Sequence, residues 1–373
     1  MTPRGVATRA PRVAVADPRH TAAAHAGPVR ARQLLEAGGY TPATEPAVIA
    51  YRVETTGHRQ TGIVTEVAVD DYRAGRILRH ESVQPDRVRR LTEMAERTGL
   101  EHTPVLLTHL PSAELREALA TITTAAPDVR TTGAGVAHEL WLRSGAELDL
   151  AVRTAIRRAG PLYIADGHHR MAAAEQHDAR AGAPGDADPS RYALAALFPA
   201  DEMQVHGYHR CLRLPAGLGE QQVLELLAAQ PGVRSVRPGE RGTGRTRAEP
   251  GVVPVRIDGH HHQLALRPGG EPDVVQLDRQ VLPALAEAAG VEPVPVPSTG
   301  GGCACAHTRT VHFHPSPPSV ERVMALADAG EVLPPKSTWF SPKAKSGLLV
   351  RACGPPGLRA VADLGSAGSG VPA

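Results

Sequence analysis

One short segment of the chain concentrates side chains that could bind an anion. Asp166–Arg170 reads DGHHR and follows the apolar run Leu162–Ala165, and an alanine-rich segment comes after it. This pattern predicts a strand, a turn at Asp166 and Gly167, and then a helix. The first backbone N–H groups of a helix are unpaired and lie at the positive end of its dipole. The side chains of His168, His169 and Arg170 would add donors there, so we expect a phosphate or carboxylate ligand.

A near copy of this segment shows that its setting matters more than its residue types. Residues 258–262 read DGHHH, between the alternating runs Val252–Ile257 and Gln263–Arg267. That pattern predicts a β-hairpin with no following helix, and we assign it no chemistry. The alternative for Asp166–Arg170 is an ordinary turn followed by solvent-facing histidines, and the residues alone leave it open.

Composition and charge exclude several classes of protein. The 373 residues carry a net charge of +2 and 3% aromatic residues, which argues against a nucleic-acid partner that stacks bases. No apolar run approaches the roughly 20 residues of a membrane span. The first 30 residues lack the apolar core of a secretory signal, so we expect a disordered tail and a cytoplasmic protein with no membrane partner. The oligomeric state stays unknown.

The lysines form a second informative cluster. Lys336, Lys343 and Lys345 are the three lysines of a chain that otherwise uses arginine. A compact ammonium on a loop suits contact with a phosphate oxygen, so Lys336 and Lys343 are candidate phosphate ligands. Ser337 and Thr338 follow Lys336 and are also candidate phosphate ligands, although the glycine pattern of a phosphate-binding loop is missing before them. The alternative is a basic surface loop.

A group of cysteines and histidines suggests a metal only weakly. Cys303, Cys305 and His307 follow a glycine-rich stretch, and their spacing differs from the usual zinc motif. We favour a surface loop with incidental thiols and keep a zinc site as a minor alternative. The four cysteines do not amount to a disulfide framework in a chain of this length.

Four motifs in order resemble the domain-of-unknown-function 1015 family. They are the His80-Glu81 pair, the DGHHR turn, the His209-Arg210 pair and the segment from Lys336 to Leu348. The resemblance covers roughly residues 45–352 and implies similarity to the ParB/sulfiredoxin superfamily, which includes free-serine kinases. This turn has neither the cysteine of sulfiredoxins nor the Glu-Arg-Arg of ParB proteins.

The resemblance implies an α+β fold whose last segment returns to the site. The expected division is a disordered tail at 1–30, a ParB-like domain with the DGHHR turn at 31–215, and an α+β section at 216–297. A glycine-rich loop, strand, helix and lysine segment would then occupy 298–352, before a flexible tail at 353–373. Local sequence patterns also predict a loop at 70–82, a helix at Pro85–Thr98, a strand near Val274 and a linker at Pro293–Pro297.

The same resemblance implies a phosphotransferase acting on a small hydroxyl compound, in the manner of a free-serine kinase. Glu81 matches the glutamate implied to be the base. As a hypothesis, Asp166 orients the substrate or holds Mg²⁺, and the residues from Gly167 to Arg170 cradle phosphates of ATP, ADP or pyrophosphate. His80, His209 and Arg210 would contact the substrate.

Two other classes of function remain open at this point. One is a nucleotide-binding regulatory module without turnover, in which the same turn holds the ligand. The other is a metal-dependent hydrolase that would use the histidines and cysteines of residues 303–314.

Overall fold

The computed structural model describes residues 5–21, 25–182, 185, 187–239, 249–298 and 309–354. The chain forms two compact units: the first comprises 1–203, 324–332 and 342–373, and the second 204–323 and 333–341. Both mix helices and strands, which confirms the α+β prediction.

The strands in chain order are β1 Thr8–Arg9, β2 Ala14–Ala16, β3 Tyr40–Pro42, β4 Val48–Thr55, β5 His58–Ala68, β6 Ile77–Leu78, β7 Leu100–Glu101, β8 Val105–His109, β9 Val129–Gly133, β10 Val136–Arg143, β11 Leu162–Asp166, β12 Tyr192–Pro199, β13 Gln204–His206, β14 Tyr208–Arg213, β15 Val233–Pro238, β16 Val252–Ile257, β17 His260–Leu266, β18 Val294–Pro297, β19 Thr310–Phe313, β20 Trp339–Ser341 and β21 Leu349–Ala352.

The α-helices are α1 Pro28–Glu36, α2 Val69–Arg73, α3 Pro85–Thr98, α4 Ala113–Ile122, α5 Ala146–Arg158, α6 His168–Ala181, α7 Glu220–Ala228, α8 Asp273–Gln276, α9 Leu282–Ala289 and α10 Val320–Asp328. A π-helical turn, Leu277–Val281, joins α8 to α9. Short 3-10 turns lie at Pro18–His20, Pro189–Arg191 and Ala200–Glu202. None of the helices in the part of the chain described has the length and apolar character that crossing a bilayer requires.

A nine-stranded sheet organises the first unit. Its order is β6-β11-β8-β12-β5-β4-β10-β9, with β1 paired to β5. β8 is antiparallel to β11 and parallel to β12. Inward residues such as Leu107, Ile164 and Leu197 pack with Ile156 of α5 and Met171 of α6 in one core. The sheet thereby fixes the end of β11 and the start of α6.

The second unit is built on a six-stranded sheet. Its order is β15-β17-β16-β19-β14-β18, and β13 pairs separately with β20. The predicted hairpin around Asp258 and Gly259 is confirmed as β16 and β17, and both turn residues have positive φ. Such a turn matches the right-handed twist of the paired strands.

Four expectations about local structure are wrong. Part of the 1–30 segment is not a tail, because the apolar residues of β2 are buried between β3 and β21. The predicted loop at 70–82 contains α2 and β6. The strand expected near Val274 is helical, and it starts after Pro272. Pro293–Pro297 is not a simple linker, since β18 pairs with β14 as an edge strand, where proline is tolerated.

The buried guanidinium of Arg351 ties the last described strand into the first unit. Arg351 is 2% exposed and donates to the carboxylate of Glu101 at 2.6 Å. It also donates to the carbonyls of Pro189 and Tyr192, and Glu66 lies 3.6 Å from it. Burial alone would lower the pKa of Arg351, but the carboxylates of Glu101 and Glu66 raise it above its ordinary value.

We expect Arg351→Met to destabilise the first unit by about 3 to 5 kcal/mol, because it leaves the Glu101 carboxylate and two backbone carbonyls without their donor, while Glu66 keeps Arg9. Urea unfolding of the full chain measures this. Arg59→Met, which removes a 60% exposed guanidinium, should change stability by no more than about 0.5 kcal/mol. A loss below about 1 kcal/mol for Arg351→Met would contradict this account.

Candidate functional site

The DGHHR segment adopts the predicted strand, turn and helix. β11 ends at Asp166, Gly167 has φ +101°, and α6 begins at His168. A Cβ at Gly167 would lie 2.7 Å from Nη2 of Arg170, so the turn needs glycine for its backbone angle and for the close approach of the guanidinium. The 14-residue helix α6 therefore begins beside the guanidinium of Arg170.

The Asp166 carboxylate is shared by two cations. Arg170 Nη2 lies 2.8 Å from one carboxylate oxygen, and Lys343 Nζ donates to the other. Burial alone would raise the pKa of Asp166, but Arg170 and Lys343 hold it well below its ordinary value. The carboxylate is therefore ionised near neutrality, and two positive charges against one negative charge leave the cluster cationic.

The segment 342–347, which carries Lys343 and which we call the lysine loop, is held in place by buried polar groups. Gln60 donates to the Pro342 carbonyl at 3.2 Å, and the Lys345 N–H donates to the Tyr51 hydroxyl at 2.9 Å. The Tyr40 hydroxyl donates to the Gly347 carbonyl at 2.7 Å. The sequence analysis missed these anchors, because Gln60, Tyr51 and Tyr40 resemble ordinary strand residues.

Two histidine rings pack beside the turn. His80 and His168 meet edge to face with centroids 4.6 Å apart, and His80 donates to the Ile164 backbone. Burial lowers the pKa of His80 to about 4, and burial together with the nearby His80 lowers that of His168 well below its ordinary value. Both imidazoles are therefore neutral at pH 7. The neighbouring His169 makes another contact, in which its Nε2 accepts the Gln84 N–H at 3.0 Å.

Two buried donor or acceptor atoms at this turn have no partner among the described residues. They are Nε2 of His168 and Nε of Arg170. A buried polar group without a partner costs about 1 to 3 kcal/mol, so such atoms call for an explanation. Their position at the start of a 14-residue helix, within a cationic cluster, suits an anion with several oxygens.

Glu81 lies half-buried in the segment between β6 and α3. Its neighbour His80 packs on His168, and Gln84 of the same segment bonds His169. This segment therefore lies against the turn, and it brings His80 and Glu81 to the same region of the first unit as Asp166.

The other predicted residues belong to the second unit. Arg210 is buried and binds Asp278 through two nitrogens, at 2.8 and 2.7 Å, and it donates to the Lys336 carbonyl. His209 packs against His314 with centroids 4.0 Å apart. Lys336 is exposed, with its Nζ 5.5 Å from the Tyr208 ring centroid, while Ser337 and Thr338 are buried.

The candidate zinc ligands Cys303, Cys305 and His307 lie outside the described residues. Among the residues that the structure does describe, no group of three or more His, Cys, Asp or Glu side chains could hold a metal ion.

We expect Gly167→Ala to cost at least about 1 kcal/mol more than Gly182→Ala, because the first adds a clash with Arg170 to the strain of positive φ. Gly182 is a matched control, since its φ is +73° and nothing lies within 4 Å of the added methyl group. Equal losses in urea unfolding would show that Arg170 moves aside freely.

The buried His80 should make the protein less stable in acid. An unfolded imidazole titrates near 6.5 and the folded one near 4, so the unfolded chain binds more protons between these values. Stability should fall as pH drops through this window, and His80→Phe should reduce the slope by up to about 1.4 kcal/mol per pH unit. The readout is the unfolding free energy from pH 4 to 8.5. If the unfolding free energy of His80→Phe had the same slope below pH 6.5 as that of the native protein, His80 would not be the cause. Above about pH 7.5 the two slopes should agree in any case.

Solved structures resemble the chain only at low identity. C-terminally truncated SbnI from Staphylococcus aureus is 12% identical, covering 76% of this chain and 85% of that chain with a TM-score of 0.40. A conserved hypothetical protein from Pyrococcus furiosus is 17% identical, and the match covers 76% of this chain and 93% of that chain with a TM-score of 0.37. A free serine kinase variant in complex with ADP is 15% identical, and the match covers 76% of this chain and 92% of that chain with a TM-score of 0.39. TM-scores this low do not establish a common fold.

No curated protein matches the sequence. A family profile does match, over residues 10–280, and its description is "Protein of unknown function (DUF1015)". The match begins before residue 45, where we expected the resemblance to start, and it ends before the lysine loop. Because it covers well over half of the chain, the protein belongs to the DUF1015 family.

Proposed function

We propose that the protein is a phosphotransferase that moves a phosphoryl group from a nucleotide or pyrophosphate to a small hydroxyl compound, in the manner of a free-serine kinase. The observation that carries the proposal is the Asp166 carboxylate held between Arg170 and Lys343 at the start of α6. Phosphoryl transfer depends mainly on positioning and on charge neutralisation, and this cluster offers both.

The phosphate chain would bind at the first turn of α6. Its oxygens would accept hydrogen bonds from the free N–H groups there and from the unpartnered Nε of Arg170. Lys343 would move from Asp166 to the phosphate, since the anion competes for the same ammonium. His168 and His169 would complete the cradle, and Lys336 stays a separate candidate phosphate ligand.

Asp166 also fits a magnesium ion. Its carboxylate is ionised, and Mg²⁺ prefers oxygen ligands. A bound ion would neutralise charge on the phosphate oxygens. Asp166 would be free to hold the ion once Arg170 and Lys343 bind the phosphates instead.

Glu81 is the proposed general base that accepts the hydroxyl proton. Its support is the contact of its segment with His168 and His169. His80, His209 and Arg210 remain candidate substrate ligands. For Arg210 the paired contacts with Asp278 favour a supporting role, because its nitrogens are already engaged.

We further propose that the first unit is ParB/sulfiredoxin-like around its strand, DGHHR turn and helix. The sequence-based domain boundaries at residues 215 and 297 stay predictions, as does the absence of a nucleic-acid partner.

The lysines provide a matched test of the phosphate site. Lys343→Met should weaken ATP, ADP or pyrophosphate binding about tenfold or more, because it removes a charge-assisted contact. Lys345→Met removes the same charge two residues away and should leave affinity within about threefold. Isothermal titration calorimetry measures both. Equal effects of the two variants would indicate nonspecific attraction instead of a built site.

Glu81→Gln should retain phosphate-donor affinity and lower transfer to serine or another small alcohol by about a hundredfold or more. Donor consumption and phosphorylated product are measured together. If the native protein binds a nucleotide but consumes neither ATP, ADP nor pyrophosphate with any small hydroxyl compound, the proposed reaction fails. The regulatory binding module then becomes the better description.

A further inference from the structure

A second cavity in the first unit lies away from the DGHHR turn. It has a volume of about 250 Å³ and is lined by the ends of β8 and β12, by α4, and by parts of β4 and β5. β8 separates it from the turn: Leu106 pairs with Asp166, whereas His109, at the cavity, is three residues further along. At the rise of a strand this is about 10 Å.

Three polar side chains that line the cavity are each fixed by a hydrogen bond. Glu202 accepts the Thr61 N–H through one oxygen at 2.7 Å. His109 donates through Nδ1 to the Leu110 carbonyl at 2.7 Å. Arg52 donates through Nε to the Thr61 hydroxyl at 3.2 Å and through Nη1 to the Glu139 carboxylate at 3.4 Å, and it lies over the Trp141 ring. Their orientations are therefore set before any ligand arrives.

Each of the three keeps another polar atom available. Among the described residues, no protein hydrogen bond engages Oε1 of Glu202, Nε2 of His109 or Nη2 of Arg52. Burial lowers the pKa of His109, so its ring is neutral near pH 7 and Nε2 is an acceptor. The cavity thus offers a guanidinium donor at one place and a carboxylate and an imidazole acceptor at others.

The remaining wall sets the size and polarity of the occupant. Leu115, Leu119, Ala120 and Pro199 are apolar, Ser112 and Thr123 add hydroxyl groups, and the second guanidinium, Arg116, is paired with Asp201 at 2.8 Å. The volume lies below the roughly 300 to 1,000 Å³ of pockets for drug-sized ligands. A ligand must therefore be small, with an anionic group for Arg52, a cationic donor for Glu202 and His109, and a compact apolar part.

We infer that this cavity binds a free α-amino acid with a small apolar side chain. The carboxylate pairs with Arg52, and the ammonium donates to Glu202 and His109. The site is separate from the proposed phosphate site, so it does not hold the acceptor of the transfer reaction. Binding at this cavity does not depend on kinase activity at the DGHHR turn.

Calorimetry with glycine, alanine, valine and leucine tests the inference, because these amino acids lack a hydroxyl group and cannot be phosphoryl acceptors. At least one should bind. For alanine, propionate and ethylamine each lack one charged group and should bind about tenfold weaker or worse. Failure of all four amino acids to bind, or equal binding of the single-charge analogues, overturns the proposal.

Variants locate the binding. Arg52→Gln and Glu202→Gln should each weaken binding about tenfold or more, whereas Arg59→Gln, which removes an exposed cation of β5 outside the cavity lining, should not. Thermal unfolding checks that each variant is folded. Lys343→Met should leave amino-acid binding unchanged. If Lys343→Met abolished amino-acid binding and Arg52→Gln left it intact, the ligand would lie at the DGHHR turn, and this site would be refuted.

Discussion

The first unit depends on one buried charge, the guanidinium of Arg351. A cation removed from water is stable only when carboxylates and carbonyls surround it, and Arg351 finds them on Glu101, Pro189 and Tyr192. These partners come from segments far apart in the sequence, so the contact fixes the position of β21. Because the lysine loop immediately precedes that strand, the same contact limits where Lys343 can lie.

The electrostatics of the DGHHR turn reflect a compromise between stability and binding. Asp166 offsets part of the charge of Arg170 and Lys343, which reduces the repulsion between the two cations. Nε2 of His168 and Nε of Arg170 nevertheless have no partner in the part of the chain that the structure describes, and Gly167 holds a backbone conformation that most residues avoid. A sequence selected for stability alone would be more stable if these polar atoms had hydrogen-bond partners and this backbone strain were absent. Their persistence is what a site prepared for an external anion requires.

The sequence was most informative where local rules decide structure. α3 has the predicted bounds, Pro85–Thr98, because proline at its start and glycine after its end act within a few residues. The strand, turn and helix at Leu162–Ala181 follow from the same kind of signal. Long-range contacts decided the rest: β2 is a strand because β21, more than 300 residues later, pairs with it. Tyr51 and Gln60 carry no sequence sign that they hold the lysine loop.

The antiparallel arrangement of β8 and β11 explains how one sheet can carry two sites. Each strand is followed by a helix, and antiparallel strands end at opposite edges, so α4 and α6 start on opposite sides of the sheet. Both helix starts favour negative charge. Along β8 the residue that pairs with Asp166 and His109 of the cavity are about 10 Å apart, which is comparable to the Debye length of about 8 to 10 Å at physiological salt. β8 joins the two sites through residues that are all buried and resist displacement.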